Sequence, residues 1–106
     1  VNRTIYYIKK NIEKKFTLKE LASLVDVHPN YLSSVFKKQV GTSLNKYINE
    51  QKIAAIKIYM NNTNISTTEI SNTFNFSHLS YFCILFKKYT GLTPKEYRKK
   101  ITSKTP

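Results

Sequence analysis

The chain has 106 residues, room for one domain or two small lobes, and its 41% apolar content with eight Tyr and six Phe suits a folded core rather than a disordered basic tail. Eighteen Lys and Arg against six acidic residues leave a net charge of +12, a field that selects polyanionic partners. A single cysteine, Cys83, excludes an internal disulfide, no zinc-site spacing can be assembled around it with only His28 and His78 in the chain, and no apolar run reaches the length of a membrane span.

The expected consequences are no metal, no cofactor, no membrane contact and a cytoplasmic location, since VNRTIYYIKK also lacks the apolar centre of a signal peptide. A start on Val rather than Met reads as a piece cut from something longer. The first expected helix runs from Thr4 to about Lys15, with Ile5, Ile8 and Ile12 in phase. Thr17 followed by Glu20 fits a capping box, in which hydroxyl and carboxylate satisfy reciprocal backbone donors, and opens a short helix. Val27-His28-Pro29 breaks that helix. Pro29 suits the first position of the next one, at about 29–39, where its missing N–H costs nothing. Its apolar positions Tyr31, Leu32, Val35 and Phe36 recur at helical spacing and are assigned to the core, and Gly41 stops it with a left-handed residue. SLNKYINEQKIAAIKIYMNN, 43–62, reads as one long helix with Leu44, Tyr47, Ile48, Ile56, Tyr59 and Met60 along a face.

The second half repeats the first. STTEISNTFNF at 66–76 answers TLKELASLVDV at 17–27, with Ser66 and Glu69 as a second capping box. Ser77 is a good N-cap for a helix at about 78–89, in which Tyr81, Phe82, Leu85 and Phe86 take the core positions. YFCILFKKYTG at 81–91 answers YLSSVFKKQVG at 31–41, and the chain's two glycines, Gly41 and Gly91, fall at the same place in each copy. A last helix runs from Pro94 through Ile101. The expected fold is all-α, seven helices forming two helix-turn-helix lobes, 1–42 and 63–106, joined by a long linker helix at 43–62.

In a helix-turn-helix the second helix enters the DNA major groove. Opposite the first core lie Asn30, Ser33, Ser34 and Lys37, spaced i, i+3, i+4, i+7. Asn30, Ser33 and Ser34 are the candidate base-contacting residues there, with Lys37, Lys38 and His28 on phosphates. The second copy offers Leu79, Ser80, Cys83 and Ile84 to bases and Lys87, Lys88 and His78 to phosphates. Two readings stand for Cys83 and Ile84: contact with thymine methyls, or inward packing in a lobe that grips phosphates only. The only arginines, Arg3 and Arg98, lie off both stripes, so arginine-to-guanine contact is missing and A·T-rich sites are expected. No clustered Ser-His-Asp or Cys-His arrangement points to an enzyme. The alternative for such a charge is nonspecific polyanion binding, to RNA or an anionic membrane; against base stacking, Tyr31, Phe36, Tyr81, Phe82 and Phe86 follow the core period.

The patterns LxxLA, YLSxxFKxxxGxSxxxYI and SYFxxxFKKxxGxTPxEYR, from about Leu18 to Arg98, together resemble the DNA-binding region of the AraC/XylS family of bacterial transcription regulators. The resemblance implies double-stranded DNA as partner, recognition helices in successive major grooves, and regulation of transcription as an activator working with RNA polymerase in the bacterial nucleoid. It also implies a sensor or dimerisation domain preceding Val1. A helix from 43 to 61 would run roughly 28 Å at ~1.5 Å per residue, near the ~34 Å groove repeat. Ser34 and Ile84 stand where the family usually has arginine, Lys52 replaces the linker arginine, and Asn75 replaces the glycine before Phe76.

Overall fold

A computed structural model describes residues 1–103 as seven helices: α1 (Asn2–Lys10), α2 (Leu18–Leu24), α3 (Pro29–Val40), α4 (Leu44–Asn62), α5 (Thr67–Thr73), α6 (Leu79–Thr90) and α7 (Pro94–Ser103). No strand occurs among the described residues. The chain divides into two compact units, one ending at Gln51 and the other beginning at Lys52, so α4 contributes to both.

In the first unit Ile8, Leu21, Ala22, Leu32, Phe36 and Leu44 form the buried core, with Ile5, Tyr7, Ile12, Phe16, Val25, Val27, Val40, Tyr47 and Ile48 packed against it. α1 is shorter than its apolar period predicts. It stops at Asn11, whose backbone N–H and side-chain amide both donate to the Tyr7 carbonyl at 3.0 Å. The backbone bond is the last i→i−4 bond of the helix, the side-chain amide shares its acceptor at the C-cap, and residues 11–14 then turn while leaving Ile12 against the core.

In the second unit Ile53, Ile56, Met60, Ile70, Phe74, Phe82, Leu85 and Phe86 are buried. Rings contact in series, Phe76 with Phe82 at 5.1 Å, Phe82 with Phe86 at 5.9 Å and Phe86 with Tyr97 at 5.5 Å. Lys52 is also buried there, 6% exposed, and its Nζ lies 3.4 Å from the Phe74 carbonyl, at the C-cap of α5. An amine at a helix C-terminus meets carbonyls that have no intrahelical donor.

Both sequence-read capping positions are occupied: Thr17 Oγ1 accepts from the Glu20 N–H and Ser66 Oγ from the Glu69 N–H, each at 3.1 Å. A third box opens α7, where Thr93 Oγ1 accepts from the Glu96 N–H at 3.1 Å and Glu96 Oε1 accepts from the Thr93 N–H at 2.8 Å.

Candidate nucleic-acid interface

The turn that sets each second helix is the same in both units. After α2, Asp26 takes φ 55°, the Val27 N–H donates to the Ala22 carbonyl at 3.1 Å, and the Asp26 N–H to that of Ser23 at 3.2 Å. After α5, Asn75 takes φ 59°, with Phe76 bonded to Ser71 at 3.0 Å and Asn75 to Asn72 at 3.1 Å. These are two Schellman motifs, each closing its helix on a left-handed Asp or Asn. Asn75 adopts the conformation its substitution for glycine requires, and Asp26, which the sequence reading passed over, does the same in the first copy.

α3 then begins at Pro29 with His28 as N-cap, whose Nδ1 accepts from the Asn30 N–H at 3.2 Å. A ring nitrogen that accepts is unprotonated, so neutral His28 carries its proton on Nε2 and keeps that N–H as a donor. The second copy differs. Its N-cap is His78, not Ser77, because α6 starts at Leu79, and the His78 side chain makes no capping bond. Gly41 and Gly91 end α3 and α6 at φ 91° and 83°, and their N–H groups donate to Lys37 and Lys87 at 2.9 and 2.8 Å.

On α3 the residues Asn30, Ser33, Ser34 and Lys37 are all exposed, and so is Lys38, while Leu32 and Phe36 face the core. On α6 Ser80, Lys87 and Lys88 are exposed, Leu79 is 42% and Ile84 68% exposed, and Cys83 is partly buried. Ile84 therefore does not pack inward. The Lys88 amine stands 5.8 Å over the neighbouring Tyr89 ring. Lys37, Lys38, Lys87 and Lys88 occupy the last turns of their helices, where positive charge also complements the helix dipole. His28 and His78 are exposed.

Two residues lie elsewhere than the sequence places them. Tyr31 and Tyr81, assigned to the core by their spacing, are 60% and 51% exposed. Each sits one residue, about 100° of helix rotation, before a fully apolar core position, which places it on the flank rather than the buried stripe. The phenol tolerates that wetter position because one end of the ring is polar.

Residues 21–100 match the family described as helix-turn-helix domain. Over 100 residues the chain is 36% identical to the HTH-type transcriptional regulator YobQ of Bacillus subtilis, covering 94% of this chain and 42% of that protein. The chain spans less than half the length of this regulator. The C-terminal domain of the two-component response regulator yesN from Fusobacterium nucleatum superposes with a TM-score of 0.86 at 31% identity, covering 92% of this chain and 95% of that one. The DNA-binding domain of AdpA, solved in complex with a target DNA, shares the fold with a TM-score of 0.92 at 14% identity, covering 99% and 95%. Two copies of one helix-turn-helix unit, matched along most of their length, place this chain in the AraC/XylS family of transcription regulators, as its helix-turn-helix domain.

Proposed function

We propose that the chain binds double-stranded DNA sequence-specifically to regulate transcription, with α3 and α6 as recognition helices in successive major grooves and a preference for A·T-rich sites. The observation that carries this reading is the exposed run Asn30, Ser33, Ser34 and Lys37 on the outer face of α3. Asn pairs with adenine at N6 and N7, hydroxyls serve either donor or acceptor edges, and no arginine stands on the stripe to favour guanine. On α6 the exposed Leu79 and Ile84 suit thymine methyls, which supports the same preference. Lys37, Lys38, Lys87, Lys88 and the two histidines supply phosphate contacts, with His28 donating through Nε2. The chain has no catalysis of its own in this reading, α4 is the linker between 1–42 and 63–106, and the whole regulator works in the bacterial cytoplasm. It does so with RNA polymerase and a sensor or dimerisation domain. Among the described residues, no helix is long and apolar enough to cross a membrane.

Selection of sites from a random duplex pool at near-physiological salt tests this. Two short A·T-rich motifs one helical turn apart are expected. One motif assigns base reading to the first lobe, and a site dominated by guanine under α3 sinks the A·T preference. The exposed Tyr31 and Tyr81 favour the alternative, stacking on unpaired RNA bases, more than the sequence does. Competition between duplex DNA, RNA and anionic vesicles separates the two, and equal competition by all three marks nonspecific polyanion binding.

A further inference from the structure

We infer that Tyr31 and Tyr81 are matched phosphate-anchoring residues, one on each recognition helix, whose hydroxyls donate to the DNA backbone at the wall of the groove. This rests on the duplex-DNA reading above.

Comparison of the two copies separates the residues by what they share. Along α3 and α6 the exposed positions kept identical are Tyr31 and Tyr81, Lys37 and Lys87, and Lys38 and Lys88. The positions proposed for bases have all changed: Asn30 is answered by Ser80, Ser33 by Cys83 and Ser34 by Ile84. Two lobes that meet different base pairs have only the sugar–phosphate backbone as a common target. Exposed residues that stay the same while their neighbours diverge are therefore assigned to that common target, and tyrosine is among the side chains that hydrogen-bond phosphate oxygens.

Position agrees with chemistry. Tyr31 and Lys38, seven residues apart, share one flank of α3, beside the stripe that holds Asn30, Ser33 and Ser34, and Tyr81 and Lys88 share the matching flank of α6. A helix lying in the major groove turns its face to the base edges and its flanks to the phosphate-lined walls. Single exposed apolar residues are ordinary on a protein surface and carry no meaning by themselves. Here the exposure recurs at the third residue of both helices, 60% and 51%, beside Leu32 and Phe82 at 3% and 0%. The Tyr81 ring is further braced by Phe76, 6.3 Å away and tilted 47°, which itself packs on Phe82. A braced ring loses less rotamer freedom when its hydroxyl is engaged.

The test compares Tyr31→Phe and Tyr81→Phe with the parent chain on two probes, the duplex enriched by selection and a mixed-sequence duplex, over a range of salt. Each variant is expected to bind both probes about three- to tenfold more weakly, since a phenol-to-phosphate bond is lost without reference to sequence. The salt slope should stay unchanged because a neutral hydroxyl releases no counterion, whereas Lys38→Gln or Lys88→Gln should lower it by about one. Tyr6→Phe, at a 66% exposed tyrosine of α1, is the control expected to bind as the parent does. Parent-like binding by both recognition-helix variants overturns the assignment. So does a loss confined to the selected duplex, which would make the tyrosines base readers. Failure of the parent chain to bind either duplex overturns the DNA reading itself and is seen before any variant is made.

Discussion

The Tyr47 and Phe36 rings meet edge to face, with centroids 5.3 Å apart and planes at 65°, and Tyr97 and Phe86 do the same at 5.5 Å and 77°. Phe36 and Phe86 are both 0% exposed, so one pair ties α3 to α4 and the other ties α6 to α7. Removing a buried phenyl group costs about 3–5 kcal/mol, transfer and cavity together. That is most of what a small core supplies. Phe36→Ala and Phe86→Ala are each expected to lower the thermal midpoint sharply in circular dichroism. Tyr47→Phe keeps the edge-on ring and should change the midpoint little; a large drop would show that the hydroxyl, not the ring, matters.

The repeat made the seven helices, their buried stripes and both glycine stops legible, because apolar period and punctuation agree twice in one chain. Where a residue's polarity is mixed, the same logic failed. Tyr31 and Tyr81 count as apolar in a periodic pattern, yet their exposure depends on which side of Leu32 and Phe82 the flank falls. The end of α1 turned on one amide, Asn11, folding back on Tyr7. The Thr93–Glu96 box carries the same spacing as Thr17–Glu20 and Ser66–Glu69, but Pro94 inside it is by itself a sufficient mark of a helix start. Burial of Lys52 had no signal in its own sequence position, since its partner carbonyl at Phe74 is distant in the chain. The roles of Asn30, Ser33 and Ser34 depend on the shape of a partner, so exposure is as far as the chain alone carries them.

Left-handed backbone at four positions gives opposite predictions. Around Gly41 and Gly91 no atom lies within 4 Å of an added Cβ, so an alanine there meets only the strain of φ 91° and 83°. Gly41→Ala and Gly91→Ala should each destabilise by about 1–2 kcal/mol in denaturant unfolding, the usual penalty for a Cβ in that region. At Asn75, φ 59°, the strain is already present. Asn75→Gly relieves it at some cost in unfolded-state entropy, so a net gain of up to about 1 kcal/mol is expected. Destabilisation by Asn75→Gly would mean that the amide makes a contact worth more than the strain.

The Thr93–Glu96 box sets a pH dependence. Hydrogen bonds from the Thr93 backbone and then its side chain, with the nearby Lys87 charge adding to them, hold the Glu96 carboxyl below its ordinary 4.5. A depressed folded-state value means that the unfolded chain takes up the proton first. The stabilisation is therefore fully present above the unfolded value and is lost as pH falls through the folded one. Glu96→Gln should be less stable than the parent at neutral pH, with the gap closing in acid. Parallel acid-unfolding curves, with a constant gap, would remove the carboxylate from the account.

The polar stripe of α3 makes its own prediction about DNA. Ser34 is exposed between Asn30 and Lys37, one turn from each. A hydroxyl there reads either edge weakly, whereas an arginine would reach guanine O6 and N7 with two bonds worth about 1–3 kcal/mol of discrimination. Ser34→Arg is expected to enrich guanine at one position under the first lobe in a repeated site selection, leaving the other positions as they were. It should also steepen the salt dependence by about one, through the added charge. Asn30→Ala should instead weaken adenine preference at a single position, by a similar amount, with no change in salt slope. If Ser34→Arg raises affinity for every duplex equally without a new guanine, α3 does not present that position to the groove floor, and base reading must be sought on another face of the helix.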